Sequence, residues 1–594
     1  MERFKRVFVQ LIKRFGIDVI TVAGIMAVVT ICLFVVFDLG EADWSVPFRY
    51  DGGDEYSLIN TARLVEECGW NIGTDRISAT EDYYYNNNEI ISGLHNADVL
   101  LVKFFMLAGG NNIGLAVNLT YIAAFYLIAL VSYITLRLLR LKRWTAASGG
   151  LVYAFLSFIF MRGMAHISLC SYYFVPLAVL MAVWIYEDER FMAPQKGFFK
   201  YRRNWGGIIM AFLVASQGIG YWQVFACFFV LVAAATAVIR TKSLKPAWRG
   251  GFAIAAIAAA VIIWCIPAFV SIAASSGAGT VSRPRSAIEA ELYGFKITQL
   301  FLPVNSHGIS ILEEAISGYN QYMPLVNENA TAYIGLAGIM GFAVLFIWMF
   351  VDKKSESPLG KRLSVLSDMN ICAVLLATIG GIGGMVYLLG FDMLRCYNRI
   401  SVFIAFICIM ALCLAADYAA ERIKAGAVRG VFIVVFVGFM MFSLWEQIPQ
   451  FAFDYEGNAQ KWYGDREFIA DIEAVCGEDD KIYMLPYMSY PERTSDSKIA
   501  PLSHLSGYFH SKKLRWSFGT ITGSESDIWC EQTSKLQAAE MVQSVKEKDF
   551  VGIYINRKGY EQSELEALEK ALQDYLETEP IVSRDGQLSF YKIQ

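Results

Sequence analysis

Residues 17–37, IDVITVAGIMAVVTICLFVVF, and the turn that follows them, Phe48-Arg49-Tyr50-Asp51-Gly52-Gly53-Asp54-Glu55-Tyr56, decide how the rest of the chain is read. The first is almost wholly apolar and has the length, about 20 residues, that a helix needs to cross a hydrocarbon layer. Its core Val19–Val36 is long for a secretory signal, and no small-residue cleavage site follows it, so it reads as an anchor. The second puts three carboxylates on a glycine-hinged turn just beyond that crossing.

Runs of the same kind recur near 113–136, 144–160, 169–186, 250–273, 331–351, 369–390, 400–420 and 430–445. Segment 206–239 is apolar apart from Ser216-Gln217-Gly218-Ile219-Gly220 and has basic flanks, so it reads as a tight hairpin of two short spans. The expected architecture is therefore an α-helical polytopic membrane protein with about 11 transmembrane helices. Composition agrees: of 594 residues 56% are hydrophobic and 18% charged, below the roughly 25% charged of soluble domains. This disfavours a disordered chain, a nucleic-acid binder and an ordinary cytosolic enzyme.

The formal charge of −4 hides a strict alternation. Basic clusters begin with Arg3, Lys5, Arg6, Lys13 and Arg14, and recur at Arg137–Arg143, Lys196–Arg203, Arg240–Arg249, Lys353–Arg362 and Arg422–Arg429, on every second connection. Positive-inside usage puts those connections and the N-terminus in the cytoplasm and the C-terminal segment outside, in a multi-pass plasma-membrane protein. Domains are expected at 1–445, the membrane unit with external loops 38–112 and 274–330, and at 446–594, an extracytoplasmic α/β domain. Strand-like runs Lys481–Leu485, Phe550–Ile555 and Leu588–Ile593, interleaved with helical stretches such as Ser563–Leu576, define the latter. Most of the 11 cysteines read as buried small hydrophobes. None has zinc-ligand spacing, and pairing of Cys476 with Cys530 stays open.

Loop 38–112 holds 13 acidic residues against Arg49, Arg63, Arg76 and Lys103. Glu55–Cys68 has helical periodicity, with Leu58, Ala62 and Val65 on one face, and Ala97–Leu107 is apolar but too short to cross. Both read as helices lying on the membrane surface. Asp51, Asp54 and Glu55 at that interface suit a general base or a cation site; helix capping is the plainer role for Asp54 and Glu55. Polar groups gather at the outer ends of other spans: Arg162 and His166, Arg283 and Arg285 followed by Glu289, Glu291 and His307, and Arg395 and Arg399. External arginines depart from positive-inside usage, and their forks match phosphate oxygens. Pairing of Arg283 and Arg285 with Glu289 and Glu291, snorkelling of Arg395 and Arg399, and a structural role for His166 are the competing readings.

The order of parts resembles the GT-C superfamily of polyprenyl-phosphate-dependent glycosyltransferases, and more narrowly bacterial YfhO-like membrane proteins. The residues that carry this are Tyr50-Asp51-Gly52-Gly53-Asp54-Glu55, Met161-Arg162-Gly163-Met164-Ala165-His166, Arg283 with Glu289 and Glu291, Leu300-Phe301-Leu302-Pro303, Arg395-Cys396-Tyr397-Asn398-Arg399 and Leu514-Arg515-Trp516-Ser517-Phe518-Gly519. The resemblance implies inverting transfer of a sugar from a polyprenyl-phosphate donor to a cell-envelope glycan or glycolipid, at the outer face and among membrane lipids, with no nucleic acid involved. It implies Asp54 as base, then Glu55 and Asp51, while guanidinium chemistry assigns Arg283, Arg285, Arg395 and Arg399 to donor phosphate and the outer polar groups Arg162, His166 and His307 to substrate. Two jaw helices would be the surface helices of the first loop. Many members carry a second acidic residue where this chain has Arg162 and His166, so no cofactor is assigned and a divalent cation is left open. Trp516, Trp529 and Tyr508 in the tail are candidates for glycan contact or for core packing. The rival readings are a lipid-linked sugar flippase or transporter, which should carry charges deep within spans and internal symmetry, a polysaccharide polymerase or ligase, and a non-catalytic assembly protein.

Overall fold

The computed structural model describes residues 2–69, 73–80, 85–86, 96–218, 220–274, 288–350, 357–391, 394–490 and 497–593. Arg283 and Arg285 lie outside the described residues.

Helix α1 (Glu2–Val36) carries the first apolar run. Two short helices follow in the first large loop, α2 (Tyr56–Cys68) and α3 (Ala97–Ala108). The bundle continues with α4 (Ile113–Leu138), the pair α5 (Arg143–Ala154) and α6 (Ser157–Arg162), and the pair α7 (Ile167–Cys170) and α8 (Val175–Glu187). Then come α9 (Arg202–Ala215), α10 (Tyr221–Thr241), α11 (Lys245–Ala274), α12 (Gly335–Trp348), α13 (Pro358–Ala377), α14 (Ser401–Arg422) and α15 (Gly426–Glu446). Among the described residues, 8 segments are long and apolar enough to cross a membrane, counting Arg143–Arg162 and Met164–Glu187 as one crossing each. Helices α9, α12 and α13 fill the remaining expected places, being shorter or more polar.

Capping chemistry sets several of these starts. Asn112 accepts from the backbone N–H of Leu115 at 2.9 Å and Asn96 from that of Val99 at 3.0 Å, opening α4 and α3. The span expected at 369–390 is displaced. Ser357 caps the N–H of Gly360 at 3.0 Å with Pro358 in the first turn, so α13 starts at Pro358 and ends at Ala377. Its first turns hold Lys361 and Arg362, which dilute the hydropathy; Arg362 is turned onto Glu187 at 2.6 Å. A separate short helix, Ile382–Leu388, makes the rest of that run. The expected 144–160 span is likewise broken after Ala154, and the 169–186 span restarts at Val175 with Pro176 in its first turn. Helices α12 and α14 approach so closely that a Cβ on Gly341 would collide with the Cys408 carbonyl.

The bundle has two chemically distinct ends. At one, Asp18 of α1 receives Tyr133, Arg137 and Arg143, while Lys142 meets Glu421 at 3.0 Å. At the other lie the N-termini of α4, α12 and α14, the C-terminus of α15 and both large loops.

The C-terminal domain opens with α16 (Tyr455–Val475) and contains strands β1 (Lys481–Leu485), β2 (Arg515–Trp516), β3 (Phe550–Asn556), β4 (Ile581–Val582) and β5 (Leu588–Lys592). The sheet order is β2-β1-β3-β5-β4, parallel across β2-β1-β3 and antiparallel across β5 and β4. The first loop covers its β2 edge. Trp516 donates its N–H to the Arg76 carbonyl at 2.8 Å, and Ala79 donates back to Trp516 at 2.9 Å. Trp516 and Tyr508 are fully buried, and Trp529 stacks on Phe550 with centroids 5.9 Å apart. These aromatics pack the domain and its junction with the loop, which corrects their candidacy for glycan contact. Cys476 and Cys530 are both free and belong to separate apolar clusters, so they do not pair.

Candidate functional site

The acidic turn is held from below by the C-terminal domain. Tyr50 donates two hydrogen bonds into that domain: its N–H to Asn458 Oδ1 at 3.1 Å and its O–H to Asp465 Oδ2 at 3.0 Å. Its ring stacks on Tyr56 at 4.8 Å, and Lys461 Nζ donates to the Tyr56 hydroxyl at 2.9 Å. Gly52 has φ +91°, and a Cβ there would sit 2.5 Å from Ser503 Oγ. Both the left-handed backbone and the contact require glycine. Gly52→Ala should therefore lower stability by roughly 1–3 kcal/mol, read as a lowered unfolding midpoint of the solubilised protein; an unchanged midpoint would refute the requirement.

Glu55 folds back into this turn instead of facing outward. Its Oε1 accepts from the Gly53 N–H at 2.7 Å and the Asp51 N–H at 3.3 Å, and the side chain is buried. Arg49 binds Asp51 at 3.0 Å and reaches Glu55 at 3.8 Å. Burial, joined by the neighbouring Asp51, pushes the Glu55 carboxyl from an ordinary 4.5 up to about 7. The folded state thus holds an extra proton between those values, so stability is full below the window and declines as pH rises through it. Glu55→Gln keeps the accepting oxygen and removes the ionisation. Its unfolding midpoint should stay level from about pH 5 to 7.5, while the wild type falls by roughly 2–4 °C; parallel profiles would refute the assignment.

Asp54, unlike Glu55, points to the open side. It is partly exposed, with Oδ2 3.6 Å from Nδ1 of His166, which sits on the turn Met164–His166 after α6. Arg162, at the end of α6, is buried and donates from Nη1 to Glu328 Oε2 at 2.8 Å and from Nη2 to Thr331 Oγ1 at 2.9 Å. Arg399, in the turn Tyr397–Ile400 before α14, approaches the same Glu328 oxygen at 3.6 Å and lies over the Tyr221 ring at 4.3 Å. Asn398 Nδ2 donates to Glu328 Oε1 at 3.1 Å. Burial alone would raise the Glu328 carboxyl, but Arg162 and Arg399 outweigh it and hold it near 2. Asp54, Arg162, Arg399 and Glu328 all act electrostatically on the His166 imidazole, so the two groups form one constellation.

Of the residues singled out in the sequence, Asp54, His166, Arg162 and Arg399 are brought together, with Asp51 and Glu55 behind them in the turn. Arg395 is half-exposed nearby, 3.7 Å from Glu289 and 5.5 Å above the Tyr293 ring. Glu291 is spent elsewhere, accepting from the Gly380 N–H at 2.6 Å. His307 does not join the set. It is buried, accepts from the Ile309 N–H at 3.1 Å through Nδ1 and turns Nε2 toward Glu446 at 3.5 Å, between the ends of α1 and α15. That Glu446 is already held by Tyr333 at 2.8 Å and the Leu336 N–H at 2.7 Å. A contact with substrate at the Asp54 site is therefore not available to His307.

The sequence reading missed Glu328 and Asp98. Asp98, on α3, is fully buried and accepts from Tyr173 at 3.0 Å and from Ser171; burial pushes its carboxyl up to about 6. A single acid opening a mostly apolar surface helix, whose other charge is Lys103, was the available signal for it. Among the described residues no three His, Cys, Asp or Glu side chains converge as a metal site; Asp54 and His166 offer two donors.

The described helices and the acidic loop packed on the C-terminal sheet form a polytopic helical fold with a C-terminal α/β domain. The structure of the arabinofuranosyltransferase AftD from Mycobacteria superimposes with a TM-score of 0.50 at 12% identity, covering 96% of this chain and 41% of that one. The Archaeoglobus fulgidus oligosaccharyltransferase in the apo form gives 0.47 at 10% identity, covering 90% and 69%. ArnT from Cupriavidus metallidurans gives 0.40 at 11% identity, with 98% of each chain covered. A family model described as a domain of unknown function (DUF6311) matches residues 115–390. No curated protein matches the sequence.

Proposed function

We propose that the chain is a membrane glycosyltransferase that transfers a sugar from a polyprenyl-phosphate donor to a cell-envelope glycan or glycolipid, with inversion. The N-terminus and the basic end of the bundle are then cytoplasmic, and the Asp54 site and C-terminal domain face outward. The observation that carries the reading is the partly exposed Asp54 carboxylate, opposed by His166 at 3.6 Å and lying beside the Arg162–Glu328–Arg399 group.

A lipid phosphate leaves as an anion, so its departure calls for positive charge and not for a proton. Arg399 and Arg395, on one turn, supply that field in a place fixed before reaction. Glu328 engages both Arg162 and Arg399, but Arg162 takes the closer contact, 2.8 Å against 3.6 Å, which leaves Arg399 the less compensated cation. The acceptor hydroxyl must lose its proton, and Asp54 is the partly exposed carboxylate proposed to receive it. His166 holds that carboxylate in place. Asp51 is the reserve carboxylate of the same turn, and Arg283 and Arg285, outside the described residues, are proposed for donor phosphate on residue type alone.

The test is to incubate the purified protein in lipid nanodiscs with synthetic polyprenyl-phosphate sugars and extracted envelope glycan. Release of polyprenyl phosphate is expected, together with a glycosylated acceptor whose new anomeric centre is inverted by NMR. Retention of configuration, or transfer from nucleotide sugars alone, overturns the reading.

A further inference from the structure

At the basic end, far from Asp54, two hollows adjoin, one apolar and one basic. The lower is a groove of 510 Å³ between α9 and α11, lined by apolar side chains such as Phe198, Phe212, Phe252, Ala256 and Ile263. The upper is a cleft of 1080 Å³ lined by Arg190, Arg240, Lys245, Arg249 and Lys361 among others. Pro194 and Gln195 border both, so the two adjoin. The segment Met164–Glu187 starts at His166 and ends at this cleft, which puts the two sites at opposite ends of the bundle.

Basic residues are expected at this end on positive-inside grounds, but such residues are ordinarily solvated. Arg249 is not: only 5% of it is exposed, its Nη1 donates to the Asp188 carbonyl, and its Nε meets no acceptor. Arg240 donates through Nη1 to the Tyr186 hydroxyl, and its buried Nη2 also lacks an acceptor. A buried guanidinium N–H without an acceptor carries an uncompensated desolvation cost. The nearby acids do not fill these positions. Glu187 is engaged by Arg362 at 2.6 Å and Asp188 by Arg203 at 2.6 Å, while Glu189 is exposed at the rim.

We propose that this cleft binds an anionic phospholipid of the leaflet at the basic end, with the phosphate between Arg240 and Arg249 and an acyl chain in the groove between α9 and α11. Phosphate oxygens match the guanidinium forks whose N–H groups lack an acceptor, and covalent attachment of an apolar chain to the phosphate accounts for a basic hollow beside an apolar one. Exposed Trp248, of a residue type enriched at membrane interfaces, borders the basic cleft, and exposed Phe199 borders the groove.

Native mass spectrometry of the full-length protein in detergent, titrated with dioleoyl phosphatidylglycerol, dioleoyl phosphatidylcholine or inorganic phosphate, tests this. Phosphatidylglycerol should be retained about tenfold more tightly than phosphatidylcholine, and inorganic phosphate at equal concentration should not displace it. Combining Arg240→Gln with Arg249→Gln should weaken phosphatidylglycerol retention by about tenfold or more. Lys424→Gln with Arg429→Gln removes the same charge from another basic loop and should change it less than about twofold. Ala259→Trp, at an exposed groove position, tests the chain half without touching a buried arginine and should weaken the lipid alone. Equal losses in the two charge pairs, or displacement by inorganic phosphate, would overturn the proposal. So would full retention in Ala259→Trp.

Discussion

Asp54→Asn should lower turnover of a polyprenyl-phosphate sugar by about 10²–10⁴-fold, the usual contribution of a positioned general base. The substitution is nearly isosteric, and Asp54 is partly exposed, 3.6 Å from His166, so folding and expression should be unaffected. The loss should fall on kcat with little change in KM, because the proton moves only as the acceptor attacks. Glu55→Gln provides the contrast within the same turn. Glu55 is buried and committed to the N–H groups of Gly53 and Asp51, so its amide should retain most of the activity. If Asp54→Asn kept full turnover while Glu55→Gln abolished it, the base would be Glu55, and the orientation of the turn would need another reason.

The bundle was legible because membrane crossing imposes one pattern, long apolar runs with basic flanks on alternate sides, and the chain obeys it from Arg3 to Arg429. Where the pattern failed, local chemistry overrode hydropathy. Helix α13 begins in polar sequence because Ser357 and Pro358 make a strong start and Arg362 finds Glu187. The strands of the tail were legible by alternation. That β2 would receive the first loop at its edge was not, since the pairing of Trp516 with Arg76 and Ala79 joins segments far apart in sequence.

At the site, residue type marked the arginines and the acidic turn, but only geometry could sort them. Asp54 and Glu55 are adjacent and chemically alike, yet one faces out and the other caps its own turn. His307 resembled His166 in sequence and lies instead beside Glu446. Glu328 gave no local signal, because its neighbours Asn327 and Asn329 read as an ordinary polar loop. Its importance comes from Arg162 and Arg399, which reach it from separate helices.

Glu328→Gln should be the most damaging single change to stability, at roughly 3–5 kcal/mol. It leaves Arg162, 4% exposed, and Arg399, 9% exposed, as neighbouring buried cations with their shared counter-charge removed. The wild-type contribution also has a pH signature. The Glu328 carboxyl is held near 2 in the folded state against an ordinary 4.5, so its stabilisation is complete above that ordinary value and is lost as pH falls through about 2. Glu328→Gln should therefore lower the unfolding midpoint at pH 7 much more than at pH 3. Removing one of the stranded cations as well, in Glu328→Gln with Arg162→Met, should restore much of the loss, because the methionine fits the apolar contact with Phe158 over which Arg162 now lies at 5.2 Å. Turnover should recover less than stability in that double variant, since Arg399 would keep its charge but lose the carboxylate that fixes its direction. Equal destabilisation of Glu328→Gln at both pH values, or no rescue by Arg162→Met, would show that the three side chains do not share one charge balance.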